Sequence, residues 1–210
     1  MSDRLEVLNL SKRLGSRMVL RDVSFSAATG DLIVVTGANG GGKTTMLRIL
    51  AGLSRPTSGQ VLWNGSPYSI EHGSISYVAH EPMLYESLTV LENMQFFAEL
   101  YDKPLGRIEN LLRLMDLWIF RHERAKILSR GMQQRLVLAR ALLIEPKLIL
   151  YDEPFTGLDF SGQELLRSVL SELRSRTLQI VVSHDPHLLG DLRYEHLELA
   201  EGKVNRRGAR

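Results

Sequence analysis

No cysteine occurs in the 210 residues, so neither a disulfide framework nor a thiolate metal site is available to this chain. Long apolar runs are also missing: none approaches the ~18 residues that a membrane-spanning helix needs. The opening Met1-Ser2-Asp3-Arg4 lacks the apolar stretch of a signal peptide. Charge of either sign is not in excess. A formal net charge of +2 is too small to argue for a nucleic-acid partner. There is no internal repeat and no low-complexity linker. These absences fit a cytosolic globular protein, and 44% apolar residues supply a sizeable core for one domain. A basic cluster at the end, Lys203, Arg206, Arg207 and Arg210, reads as a solvated terminus rather than a lipid or partner contact.

What is present alternates in character. Strand-like stretches run over Leu5–Leu10, Val19–Phe25 and Leu32–Thr36, followed by a glycine-rich turn and a helix from Lys43 to Leu50. Gln60–Trp63 and Ile75–Val78 read as further strands, the first closed by an Asn64-Gly65 turn. The middle is helical. Thr89 and Glu92 form a capping box before Val90, Met94 and Phe97, and Leu111, Leu112, Met115, Leu117 and Trp118 suggest a second helix. Residues of about 82–135 are therefore expected to form a helical lobe within a single domain of 1–210. Leu148–Tyr151 and Ile180–Val182 are short apolar runs of the kind buried in parallel sheets. Helices near Gly162–Arg174 and Pro186–Asp191 alternate with them. The pattern predicts a mixed α/β core with an α-helical insertion.

Two segments carry chemistry. Gly37-Ala38-Asn39-Gly40-Gly41-Gly42-Lys43-Thr44 fits the phosphate-binding pattern G-x-x-x-x-G-K-[ST] and lies between an apolar strand and a helix. Glycines let several N–H groups turn inward, and the helix N-terminus adds positive dipole character toward phosphate. Lys43 is expected to reach the β- and γ-phosphates of ATP, with Thr45 beside it, and the Thr44 hydroxyl to bind Mg²⁺. The bland alternative is a glycine-rich turn, but chance produces this pattern in only about one per cent of chains of this length. The second segment is Leu148-Ile-Leu-Tyr-Asp152-Glu153, a strand ending in two acids. Asp152 can hold Mg²⁺, and Glu153 can face the attacking water as a base. Acids after a strand are usually just solvated; it is the upstream cradle that makes this pair significant.

Leu128-Ser129-Arg130-Gly131-Met132-Gln133-Gln134-Arg135 resembles the signature segment of ABC ATPases. Asp152-Glu153-Pro-Phe-Thr-Gly-Leu-Asp159 resembles the run from the second carboxylate to the D-loop, and Ser183-His184-Asp185 the switch-histidine loop. The resemblance covers nearly the whole chain. It implies a P-loop NTPase core with a mixed or parallel sheet, an N-terminal antiparallel β subdomain and an inserted α-helical subdomain. It also implies a head-to-tail dimer with a second copy or a homologue. ATP would lie between the cradle of one domain and Ser129, Gly131 and Asp159 of the other, with His184 on the γ-phosphate. Integral membrane transporter subunits would be the partners, placing the chain at the cytoplasmic face of the cell membrane. More narrowly, Ala51–Gly65, Leu88–Phe97 and His80 in place of the Q-loop glutamine resemble the ATPase subunit of the haem exporter of cytochrome c maturation. Other bacterial exporters sharing an Arg-Gly-Met signature remain the alternative.

Leu14 and His80 depart from the family pattern, and Arg130 and Met132 alter the signature while keeping Ser129 and Gly131. Leu14 stands where many relatives have an aromatic on the adenine; leucine covers the ring without stacking on it. His80 keeps a nitrogen able to reach Mg²⁺-bound water but adds a titratable group. Two competing classes also stay open: a soluble ABC ATPase acting on ribosomes or DNA, and a nucleotide-binding regulator without turnover. The first is disfavoured by the single domain and short lobe, the second by the joint presence of Lys43, Asp152, Glu153 and His184.

Overall fold

The computed structural model describes residues 3–67 and 74–209. Among these residues, ten strands fall into two sheets. The first is antiparallel, in the order β2-β1-β4-β5, from β1 (Arg4–Leu14), β2 (Arg17–Ala28), β4 (Ser58–Trp63) and β5 (Ser66–Pro67). The second, in the order β10-β9-β3-β8-β7-β6, contains β3 (Leu32–Thr36), β6 (Ile75–Val78), β7 (Leu148–Asp152), β8 (Leu178–Val182), β9 (Glu195–Ala200) and β10 (Lys203–Ala209). Five of its strands are parallel, and β10 turns back antiparallel on β9. This is the mixed α/β architecture, with an antiparallel sheet and inserted helices, that the sequence predicts.

The strand sequences dictate two cores. In β3, Leu32 and Val34 face one side while Ile33 and Val35 face the other, and all four are buried. A strand buried on both faces needs an unbroken apolar run, and Leu32–Val35, Leu148–Tyr151 and Ile180–Val182 provide it. One face packs against α2 (Val90–Leu100), α3 (Arg107–Leu114), α4 (Arg130–Leu143) and α5 (Phe160–Leu173). The other packs against α1 (Lys43–Leu50) and the antiparallel sheet. The short helix α1 thus lies between two sheets, with Met46, Leu47, Ile49 and Leu50 all buried. Each such side chain contributes roughly 1.5–3 kcal/mol of burial.

Local signals mostly land where expected. Asn64 and Gly65 both take positive φ, 53° and 76°, in the two-residue turn between β4 and β5. Thr89 caps α2: its hydroxyl accepts from the Glu92 N–H, and the Glu92 carboxylate accepts from the Thr89 N–H at 2.8 Å. The bond from the Thr89 N–H first, then one donated by its hydroxyl to the same carboxylate, holds the Glu92 carboxyl below the usual glutamate range.

Four expectations need correction. The second helix of the lobe ends at Leu114, because Asp116 takes a positive φ of 54°, and Trp118 belongs to a separate 3₁₀ turn. The helix at Arg130 continues without a break to Leu143, beyond the expected lobe end near 135. Pro186–Leu189 is a 3₁₀ turn rather than a helix. The basic tail is not a loose end: it forms β10, where Arg206 pairs with Glu195 at 2.9 Å and Arg207 with Glu198. Arg210 lies outside the described residues.

Thr89→Ala should cost about 1 kcal/mol of stability, since it removes the hydroxyl that accepts from the Glu92 N–H and donates to the Glu92 carboxylate. Denaturant unfolding at neutral pH measures it, and an unchanged midpoint would mean that the cap is redundant with packing.

Candidate nucleotide site

The site follows from strand register. Val35 pairs with Val182, and Val182 with Asp152, so β3, β8 and β7 end at one level. The backbone continues the alignment for one more residue: Ser183 N–H donates to the Val35 carbonyl at 3.1 Å and Glu153 N–H to the Val182 carbonyl at 3.0 Å. Three loops therefore leave the sheet side by side, and they carry the three sets of residues singled out in the sequence.

The first loop turns back on itself before α1. Gly42 begins that helix at φ +102°, and a Cβ there would sit 2.8 Å from the Val19 carbonyl oxygen. Gly37 takes φ +147°, and a Cβ there would fall 2.2 Å from the Leu199 carbonyl oxygen. No other residue type fits either position. Lys43 is buried, and its ammonium donates to the Gly37 carbonyl at 2.8 Å and the Ala38 carbonyl at 3.1 Å. The loop is thus wrapped around a cation.

The second loop begins with the acids. Asp152 is 2% exposed, and among the described residues no cationic nitrogen pairs with it. Its partners are two hydroxyls: Thr44 Oγ1 donates to Oδ1 at 3.2 Å and Tyr77 Oη to Oδ2 at 3.1 Å. Burial first, then the Asp152 charge and the hydrogen bond to it, pushes the Tyr77 hydroxyl well above the usual tyrosine range, with Arg48 opposing. Tyr77 therefore stays protonated and donates. A buried carboxylate beside a hydroxyl, with no counter-charge, fits a divalent cation held by one carboxylate, the Thr44 oxygen and substrate phosphates. Among the described residues no cluster of three or more His, Asp or Glu could hold a metal unaided.

Glu153 takes φ +53°, a conformation that costs a non-glycine residue about 1 kcal/mol and is common at functional sites. Its Oε2 accepts from the His184 N–H at 3.2 Å and meets His184 Nδ1 at 2.8 Å. The second and third loops are joined by this contact.

An open cavity of about 1110 Å³ unites these groups. Asn39, Gly40, Gly41, Gly42, Lys43, Thr44 and Thr45 line it, together with Asp152 and Glu153. Leu14 stands half-exposed on its wall, as do His80 and Arg17, whose guanidinium donates to the Gly40 carbonyl at 3.3 Å. Gly37 and Ala38 contribute carbonyls to Lys43 rather than cavity wall. Ser129, Gly131 and Asp159 are not brought to it. Ser129 caps α4 by accepting from the Met132 N–H at 3.2 Å and is exposed. Asp159 caps α5 by accepting from the Gly162 N–H at 2.9 Å.

A second cavity of about 500 Å³ adjoins the first and shares Tyr77 and Met83 with it. Tyr85 is half-exposed there and packs edge-on against Phe96 at 4.7 Å between centroids. The buried Asn93 clamps its backbone, accepting from the Tyr85 N–H and donating to the Tyr85 carbonyl, each at 3.0 Å. Arg140 lies over the Phe97 ring at 4.6 Å and donates to the Met83 carbonyl. Tyr77, Asn93 and Arg140 were not singled out in the sequence. Each acts through a contact distant in sequence or a loop backbone, and no local pattern marks it.

The sequence profile of the ABC transporter family matches residues 20–156. The chain belongs to that family. It is an ATP-binding subunit and an ATPase. The ABC transporter I family member 1 of Arabidopsis thaliana is 36% identical over 193 residues, covering 87% of this chain and 82% of that protein. A probable sulfate/thiosulfate import ATP-binding protein CysA of Chlorella vulgaris is 38% identical over 205 residues, 93% of this chain and 87% of that one. Of the CysA protein from Mesostigma viride, by contrast, this chain spans 60% of the length. A solved structure described as the ATP binding subunit of an ABC transporter superposes with a TM-score of 0.87 at 28% identity, covering 97% of this chain and 89% of that one. ABC ATPase subunits typically dimerise and work with membrane subunits. Among the described residues of this one, no helix is long and apolar enough to cross a membrane.

Lys43→Ala should lower ATP affinity by roughly 10–100-fold, the worth of a charge-assisted hydrogen bond or two. Fluorescent-nucleotide titration measures it, and unchanged binding would remove Lys43 from the phosphate cradle.

Proposed function

We propose that this chain is the motor subunit of a membrane transporter and hydrolyses Mg-ATP as one half of a head-to-tail pair. The observation that supports this reading is the cavity in which Lys43, Thr44, Asp152 and Glu153 converge while Ser129 stays exposed and outside it. In this reading Lys43 exchanges its two carbonyl partners for the β- and γ-phosphate oxygens. Thr44 and Asp152 hold Mg²⁺, which neutralises charge on those oxygens. Glu153 accepts a proton from the attacking water, and His184, already bonded to it, orients that carboxylate and faces the γ-phosphate. Leu14 covers the adenine by apolar contact, and His80 meets the hydrated metal. The second copy closes the cavity with the N-terminus of its α4, where Ser129 and Gly131 present N–H groups and helix dipole to the γ-phosphate. Asp159 borders the same junction.

The adjoining groove suits a cytoplasmic helix of the membrane subunit, because Met83 and Tyr85 offer adaptable apolar surface beside the nucleotide cavity. That contact would hold the chain at the cytoplasmic face of the membrane. Cargo is a separate matter. The CysA relatives are named for sulfate or thiosulfate import. The resemblance of Ala51–Gly65 and Leu88–Phe97 favours haem export, although no relative above is named for it. Reconstituted with its membrane subunits, the motor should be stimulated by its own cargo. Faster ATP turnover with haem and not with sulfate supports export of haem, and the reverse pattern rejects it.

Glu153→Gln should bind Mg-ATP yet turn it over at least about a hundredfold more slowly, since the amide keeps the shape and loses the base. The variant should then accumulate as an ATP-dependent dimer on a sizing column. Near-normal phosphate release would move the base elsewhere.

A further inference from the structure

Tyr77 is the one residue of β6 whose side chain reaches the acids at the end of β7. In the strand ladder it stands opposite Leu150, two positions short of Asp152, so its ring must lean along the sheet for the hydroxyl to arrive at Oδ2. A shorter side chain would not span that offset. The carboxylate it meets is 2% exposed, and its other oxygen is met by Thr44. These two donors differ in kind. Thr44 is the second residue of α1, next to the phosphate loop, and offers its own oxygen to a metal. Tyr77 is rooted in a strand of the central sheet, outside the phosphate loop. A carboxylate with one such fixed donor has its plane set before any ligand arrives, which is the condition for a metal site of defined geometry.

We infer that Tyr77 is a positioning residue for Asp152: its hydroxyl holds Oδ2 so that Oδ1, beside Thr44, faces the divalent cation that accompanies ATP. The inference rests on the Mg-ATP reading above. A purely structural reading, in which the hydrogen bond merely satisfies a buried acid, makes a different prediction. It lowers stability and nucleotide binding alike, with or without metal.

The test uses Tyr77→Phe, which keeps the ring in both cavity walls and removes the hydroxyl. Mn²⁺ is titrated into the purified chain with a non-hydrolysable ATP analogue, and free Mn²⁺ is read by electron paramagnetic resonance. In parallel, a fluorescent ATP analogue is titrated in EDTA, and thermal unfolding is recorded without metal. The inference expects half-saturation by Mn²⁺ to rise about tenfold in the variant, the worth of one hydrogen bond to a charged group. Metal-free nucleotide affinity should stay where it is, while the melting temperature falls modestly because the buried Oδ2 loses its donor. Equal Mn²⁺ affinity in the two proteins overturns it. So does an equal loss of metal-free nucleotide affinity, which marks a structural role. If the wild type itself shows no nucleotide-dependent Mn²⁺ binding, the Mg-ATP reading falls and this inference with it.

Discussion

The site depends first on the register of three parallel strands. β3, β8 and β7 are hydrogen-bonded so that Val35, Val182 and Asp152 end at one height, and the backbone bonds of Ser183 and Glu153 extend that alignment into the loops. A parallel ladder shifted by one residue would turn each buried side chain to the opposite face. Here both faces are occupied by dense cores, so no slipped register is tolerated. The unbroken apolar runs Leu32–Val35, Leu148–Tyr151 and Ile180–Val182 are therefore what sets the separation between the phosphate loop and the acids.

On that frame, charge is managed by hydrogen bonds rather than by ion pairs. Lys43 rests on two carbonyls, and Asp152 on two hydroxyls. Both are buried, and neither faces its opposite charge directly. A buried Lys–Asp pair would have neutralised the site internally and left little field for an anionic substrate. Neutral acceptors and donors hold each group in place, and a phosphate with its metal can replace them without breaking a salt bridge. Glu153 is held differently, through His184, at a backbone conformation that few residues adopt.

Most of the catalytic end was legible in the sequence because its signals are local. A left-handed Gly42, a lysine at the start of a helix and acids closing an apolar strand each occupy a few consecutive residues. The Thr89 cap and the Asn64-Gly65 turn were legible for the same reason. What was missed is non-local. Tyr77 matters through a contact 75 residues away, and Arg140 through the loop carbonyl of Met83, 57 residues away. The strands β9 and β10 were hidden because they are amphipathic and half-exposed, so charged residues interrupt the apolar pattern and resemble a tail. The end of α3 was misplaced because its apolar spacing runs on through Met115 and Leu117, while the chain reverses at Asp116. Burial of Met115 and Leu117 is achieved from a turn instead of a helix.

The eight residues of α1 make barely two turns, too few for a helix to persist by its own hydrogen bonds. It stands because two sheets grip it from opposite sides, and Lys43 is its first residue. The antiparallel sheet gives the cavity little more than rim side chains, yet it is geared to the phosphate loop through that shared helix. A displacement at the loop cannot be absorbed inside α1, which has no slack. Packing alone thus makes the start of this helix, and the phosphate loop before it, a shared boundary of both layers.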